Sequence, residues 1–320
     1  MAPSSDGIRT PRFWQTVMAE MVGTLFLVMI GCGSFVDPQH PPSKDNPDAI
    51  VAPNALRVAL SFGLTYGTLV YALRYVSGGH LNPAVTVAML AARKISILRA
   101  VLYLLGQIIG ALVGAAVLRG VTPSNLQGTL GATLPQHGIT AEKAFSVEFF
   151  ATFIFLFVVR ATGDSVSGED NPPAMRPFVM GLALVAVELY AVPISGGGIN
   201  PARSLGPAAV MGRMEYHWVY WFGPILGGVL GAILYEYVFA SNASLARVKS
   251  CLTTNEPASN KPRQTSSLKA PEEVALRAKK TPSIDENEDI EIRVENNPSP
   301  VPNKISTHTQ TIPKDKSSVV

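Results

Sequence analysis

Six stretches of this chain are apolar enough and long enough to cross a lipid bilayer as helices, and no other feature restricts the fold as strongly. They lie at about 13–36, 55–76, 97–118, 144–159, 177–194 and 217–240. About 20 apolar residues carry a helix across the hydrocarbon core. Inside that core every backbone N–H and C=O has to be paired within the segment. The fourth and fifth stretches are the shortest of the six. Composition agrees with a membrane protein: 47% of residues are hydrophobic and 15% charged, against roughly 25% charged in an average globular chain. The first stretch follows Arg9 and Arg12 with no small-residue cleavage site, so it reads as an anchoring span and not as a cleaved signal. The expected class is an all-α membrane protein.

Two further apolar segments, at 80–92 and 199–211, are too short to span. Each follows a run of glycines and contains Asn-Pro-Ala: Asn82-Pro83-Ala84 in one and Asn200-Pro201-Ala202 in the other. Asparagine is a favoured helix N-cap and proline suits the first helical turn. Both segments are therefore expected to be half-helices that begin inside the membrane. The chain also repeats itself: Glu20-Met-Val-Gly-Thr24 opens the first span and Glu148-Phe-Phe-Ala-Thr152 the fourth. Each repeat has three spans, with a half-helix between its second and third. An odd number of spans forces the two copies into opposite orientations. Paired interrupted segments in inverted repeats point to a pathway near the bilayer midplane. The expected organisation is an N-terminal segment 1–12, a membrane domain 13–240 with repeats of about 13–119 and 144–240, and a polar tail 247–320.

Basic residues set the expected orientation. Arg9, Arg12, Arg74, Arg93, Lys94, Arg99, Arg160, Arg176, Arg247 and Lys249 share one side of a six-span arrangement. Lys44, Arg57, Arg119, Lys143, Arg203 and Arg213 fall on the other. Both termini are thus expected in the cytoplasm, and the sequon Asn242-Ala243-Ser244 on the side where it is not glycosylated. The tail is too polar to offset its ordering entropy and reads as disordered. Its end, Ser318-Val319-Val320, suits a PDZ domain, which captures a C-terminal carboxylate. Arg247-Val-Lys-Ser250 is a candidate kinase site.

Several function classes find no support. The net charge of +3 and the absence of a basic-aromatic patch argue against nucleic acid. Cys32 and Cys251 do not suggest a disulfide framework, no Cys/His spacing suggests a metal, and no cofactor motif occurs. No nucleophile-base-acid set marks an enzyme, and the five histidines are scattered.

Ser77-Gly-Gly-His-Leu-Asn-Pro-Ala-Val-Thr86 and Ser195-Gly-Gly-Gly-Ile-Asn-Pro-Ala-Arg-Ser204 resemble the paired signature loops of aquaporins. The resemblance covers about residues 13–240 and implies a passive channel, most simply for water, built as a homotetramer with one pore per subunit. The half-helix ends carry unpaired N–H groups and partial positive charge. Meeting at the pore centre they oppose cations and protons, the barrier known for aquaporin-type pores. Asn82 and Asn200 would donate to passing water; each is also an ordinary N-cap. Glu20 and Glu148, acids in apolar spans, would accept hydrogen bonds from the signature loops and brace them, or sit as carboxylates at helix ends.

By the same resemblance Arg203, Phe62, Glu188 and Gly197 wall the outer constriction. Glu188 is the departure. Water-selective members usually carry His there and glycerol channels a small residue. An acid beside Arg203 either forms an ion pair and narrows the pore, adds an acceptor and weakens cation rejection, or points elsewhere. Ser204, Ala208, Tyr220 and Trp221 fit the water-type pattern, and Gly197 replaces the cysteine of mercury-sensitive members. Water is therefore the expected substrate. A pore for small neutral solutes or cations is the alternative, and a non-transporting adhesion or signalling protein on this fold is a third reading.

Overall fold

The computed structural model describes residues 8–39, 53–164, 174–241 and 243–244, and these build an all-helical fold. In chain order the helices are α1 (Pro11–Gly33), α2 (Ala55–Leu73), α3 (Pro83–Ala91), α4 (Ile97–Val121), α5 (Ala141–Thr162), α6 (Arg176–Ser195), α7 (Pro201–Met211) and α8 (Val219–Leu234). A π-helical turn, Tyr235–Phe239, continues α8. Six of these, α1, α2, α4, α5, α6 and α8, are long and apolar enough to cross a membrane. Their outward positions carry residues such as Phe26, Leu60, Ile109, Ile154 and Leu230, all exposed, as a surface solvated by lipid requires.

The fourth span is longer than its apolar run. It begins at Ala141, where Thr140 caps the helix by accepting from Lys143 N, and it reaches Thr162. The expected limit at 159 reflects the charge at Arg160, but that side chain is buried and paired, so the helix continues through it. Arg160 Nε donates to Glu236 Oε2 at 2.7 Å, its Nη2 reaches the same oxygen, and Lys94 Nζ lies 2.8 Å from Glu236 Oε1. Lys94 and Arg160 are therefore part of an internal ion cluster and are not free loop charges. Glu236, only 1% exposed, sits at the end of an apolar run, where an acid gives no sign of being buried. The second span's regular helix ends earlier than expected, at Leu73, where the ladder tightens into a turn in which Val76 N reaches the Leu73 carbonyl at 2.9 Å.

Glycine stripes decide which helices touch. A Cβ on Gly110 would overlap the Met21 carbonyl of α1, and one on Gly227 the Phe149 carbonyl of α5. Backbones at such separations gain dispersion contacts that longer side chains would prevent. The α1–α4 and α5–α8 pairs are the same pairing in the two repeats, while α2 packs on α6 across the pseudo-two-fold. Each half-helix crosses over: α3 packs on α8 and α7 on α4. The half-helices thereby lock the two repeats together and aim their N-terminal ends at one another. With six crossings, both ends of the described chain lie on one face, which we call the N-terminal face. Residues 245–320, with Arg247, Lys249, Ser250, Ser318 and Val320, lie outside the described residues, as do Lys44 and Asn242.

Candidate functional site

Asn82 and Asn200 cap α3 and α7. Asn82 Oδ1 accepts from Ala84 N at 2.8 Å; Asn200 Oδ1 accepts from Ala202 N at 3.0 Å and Arg203 N at 3.2 Å. Each amide then reaches across the junction. Asn82 Nδ2 donates to the Ile199 carbonyl at 3.1 Å, and Asn200 Nδ2 to the Leu81 carbonyl at 2.8 Å. A carboxamide has two N–H donors, so these bonds use one and leave one on each asparagine. Leu81 and Ile199 hold left-handed backbones, φ 52° and 54°. That conformation is rare for a β-branched residue such as Ile199 and persists only where surrounding contacts enforce it.

The enforcing contacts come from Glu20 and Glu148, both fully buried. Glu20 accepts from His80 N at 2.9 Å, Leu81 N at 2.6 Å and Ser77 Oγ at 2.6 Å. Glu148 accepts from Gly198 N at 2.8 Å, Ile199 N at 2.6 Å and Ser195 Oγ at 2.6 Å. Tyr103 and Tyr220 complete the pattern, donating to the Ser77 and Ser195 carbonyls at 2.9 and 2.6 Å. The bracing of the two halves differs around Gln107. Gln107 bridges Glu20 and Thr86, and Thr86 also contacts His80 Nδ1, whereas the matching Ser204 hydroxyl has no protein partner. The Ser-Gly-Gly openings of the loops were visible in the sequence; Tyr103 and Gln107 carried no such signal.

Phe62, Glu188 and Arg203 line one narrow cavity together with Asn82 and Asn200. Arg203 is 1% exposed. Its Nη1 donates to the Gly131 carbonyl at 2.6 Å, and its guanidinium lies 4.7 Å from the Phe62 ring centre and 5.3 Å from that of Phe35, within cation–π range. Its Nε and Nη2 bond to no protein atom. Gly131 belongs to a buried segment, 130–135, of the α4–α5 loop. That segment had no recognisable sequence signal beyond its glycines. Glu188, 1% exposed, lines the same cavity, yet no ion pair joins it to Arg203, and Glu188 Oε2 is without a protein partner. Of the three arrangements open for Glu188, the ion pair is therefore not formed. Glu188 Oε2 lies instead against Gly197.

Gly197 explains how an acid fits. Its φ is +67°, and a Cβ there would overlap Glu188 Oε2 and stand 2.6 Å from Val192 Cγ2. Gly197→Ala should thus lose stability twice, about 1 kcal/mol through the left-handed backbone and ~1–3 kcal/mol through overpacking. Adding Glu188→Ala should recover part of the overpacking loss, read as a double-mutant coupling in thermal unfolding of the detergent-solubilised protein. Strictly additive effects would show that the two positions do not share this space.

Six helices long and apolar enough to cross a membrane, interlocked half-helices and a narrow cavity at their junction define a multi-pass membrane protein. The chain matches the sequence model of the major intrinsic protein family over residues 7–235. It is 39% identical to aquaporin-4 of Mus musculus over 241 residues, 75% of this chain and 72% of that protein. It is 36% identical to aquaporin-2 of Homo sapiens over 274 residues, 83% and 97% of the two chains. With the lens fiber major intrinsic protein of Gallus gallus it shares 38% over 256 residues, 80% and 93%. The solved aquaglyceroporin of Plasmodium falciparum superposes with TM-score 0.59 at 22% identity, covering 71% of this chain and 96% of that one, a likeness of fold. The chain belongs to the major intrinsic protein family, the aquaporin channels.

Proposed function

We propose that this channel conducts water passively along osmotic gradients and rejects protons, with Phe62, Glu188, Gly197 and Arg203 forming its outer constriction. The carrying observation is the junction of the half-helices. There Asn82 and Asn200 each keep one amide N–H beyond the crossing bond, in the wall of the cavity that Arg203 also lines. A water oxygen accepting from both amides has its own hydrogens turned away from its neighbours along the file, which breaks the relay a proton needs. The positive ends of α3 and α7 add an electrostatic barrier there. One observation favours a second reading: the unpartnered carboxylate of Glu188 offers an acceptor to small neutral solutes or cations. Stopped-flow light scattering on proteoliposomes, comparing water, glycerol and urea with ionic conductance, separates the two. Solute or ion flux comparable to water flux would sink the water-selective reading.

The basic-residue pattern supports cytoplasmic termini, family membership supports a homotetramer, and the plasma membrane is the location we propose. The Gly106, Gly110 and Gly114 stripe is no support for that assembly, because it packs within one chain on α1. The terminal Ser318 to Val320 motif suits a PDZ-domain partner.

Mercury should leave water flow unchanged. Gly197 offers no thiol, and the described cysteine, Cys32, is fully buried, out of reach of an ion that needs an accessible thiolate. Osmotic permeability before and after mercuric chloride checks this. Inhibition that persists in Cys32→Ser/Cys251→Ser would contradict a thiol-based account.

A further inference from the structure

Tyr66 follows Phe62 by four residues on α2, and Leu184 precedes Glu188 by four on α6. Each step is about 6 Å along its helix. α2 runs toward the N-terminal face and α6 away from it, so both steps lead from the outer ring toward the half-helix junction. Tyr66 and Leu184 line the same cavity as Phe62 and Glu188, and Phe155 of α5 meets the Tyr66 ring edge-on at 5.5 Å and 67°. The cavity wall therefore has a second layer beneath the first. Tyr66 is 1% exposed, and its hydroxyl bonds to no protein atom. Buried phenols normally find a partner. This one, set in the wall of the pathway, keeps a donor and an acceptor for whatever passes. Leu184 and Phe155 at the same level offer neither.

We infer that Tyr66 is a second selectivity-determining residue. Its ring, with Leu184 and Phe155, forms an inner constriction that rejects three-carbon polyols independently of the outer ring. Its hydroxyl exchanges hydrogen bonds with each water moving between Arg203 and the asparagine pair. The inference rests on the pore reading above, and its consequence is that opening the outer ring alone does not make a glycerol channel.

The test is glycerol and water flux in proteoliposomes holding equal amounts of folded parent, Glu188→Ala, Tyr66→Ala, Glu188→Ala/Tyr66→Ala and Tyr66→Phe. Glycerol flux in the double variant should exceed that of either single variant by at least about tenfold. Glycerol flux in Glu188→Ala within twofold of the double variant would overturn the inner constriction, as would a water-conducting double variant that still excludes glycerol. Tyr66→Phe keeps the ring and the fold. It should still exclude glycerol while water flux falls severalfold, and unchanged water flux would remove the hydroxyl from the pathway. The parent's water flux reports on the pore reading separately. Its absence would end that reading and this inference with it, whereas Tyr66 is judged only by ratios among water-conducting variants.

Discussion

Replacing Arg203 with valine should let cations through the proposed outer constriction while water flow persists. The guanidinium is the only fixed full positive charge lining the described cavity, and it is 1% exposed. A monovalent cation passing about 4 Å from it meets a repulsion of about 4 kcal/mol at an effective dielectric near 20. Losing even half of that barrier raises passage by more than tenfold, at ~1.4 kcal/mol per decade. The change is larger here than an Arg beside a neutral His would give, because Glu188 remains in the ring as an acceptor with no partner. Adding Glu188→Gln should therefore suppress much of the leak. Cation flux into liposomes with a potassium-sensitive or pH-sensitive dye measures both variants, after a check that loss of the bond to the Gly131 carbonyl has not unfolded them. A folded Arg203→Val protein with unchanged ion flux would take Arg203 out of the constriction.

Glu148→Leu should abolish the folded channel. The carboxylate satisfies Gly198 N, Ile199 N and Ser195 Oγ in a site with no exposure. Leucine leaves three buried donors without an acceptor, each costing about 1–3 kcal/mol. That sum approaches the whole stability of a typical domain, about 5–15 kcal/mol. It also releases Ile199 from the left-handed conformation that aims its carbonyl at Asn82. Glu148→Gln keeps one good acceptor oxygen and should be milder. Thermal unfolding of detergent-purified protein, with the yield of monodisperse material, reads both. A Glu148→Leu variant with a parent-like melting temperature would show that the loop is held by its glycine turns and its asparagine bonds alone.

Much of this was legible in the residues. Membrane crossing is imposed by a solvent that tolerates no unpaired backbone, so six apolar runs and two short ones opened by Asn-Pro determine the helices to within a few residues. The loop-bracing acids, Glu20 and Glu148, could be picked out because a lone acid in an apolar span has to meet a partner. Arg203 was marked by the resemblance of its loop to the aquaporin signature.

What the tertiary structure alone decided are contacts between residues far apart in the chain. Whether Glu188 pairs with Arg203 depends on side-chain directions from α6 and α7, and no periodicity reports them; the pair is not formed. Gly131 became the acceptor for Arg203 only when its loop folded inward. Tyr66 carried no signal of its own in the sequence, since helical spacing marks a buried face without saying whether core or cavity lies against it. Lys94 and Arg160 read as loop charges until Glu236 met them across three elements. Sequence by itself determined which segments enter the membrane and where the chain is interrupted, because the bilayer acts on each segment separately. The polar groups left without partners at the pathway, and hence its selectivity, were decided by packing between segments, which acts on all of them at once.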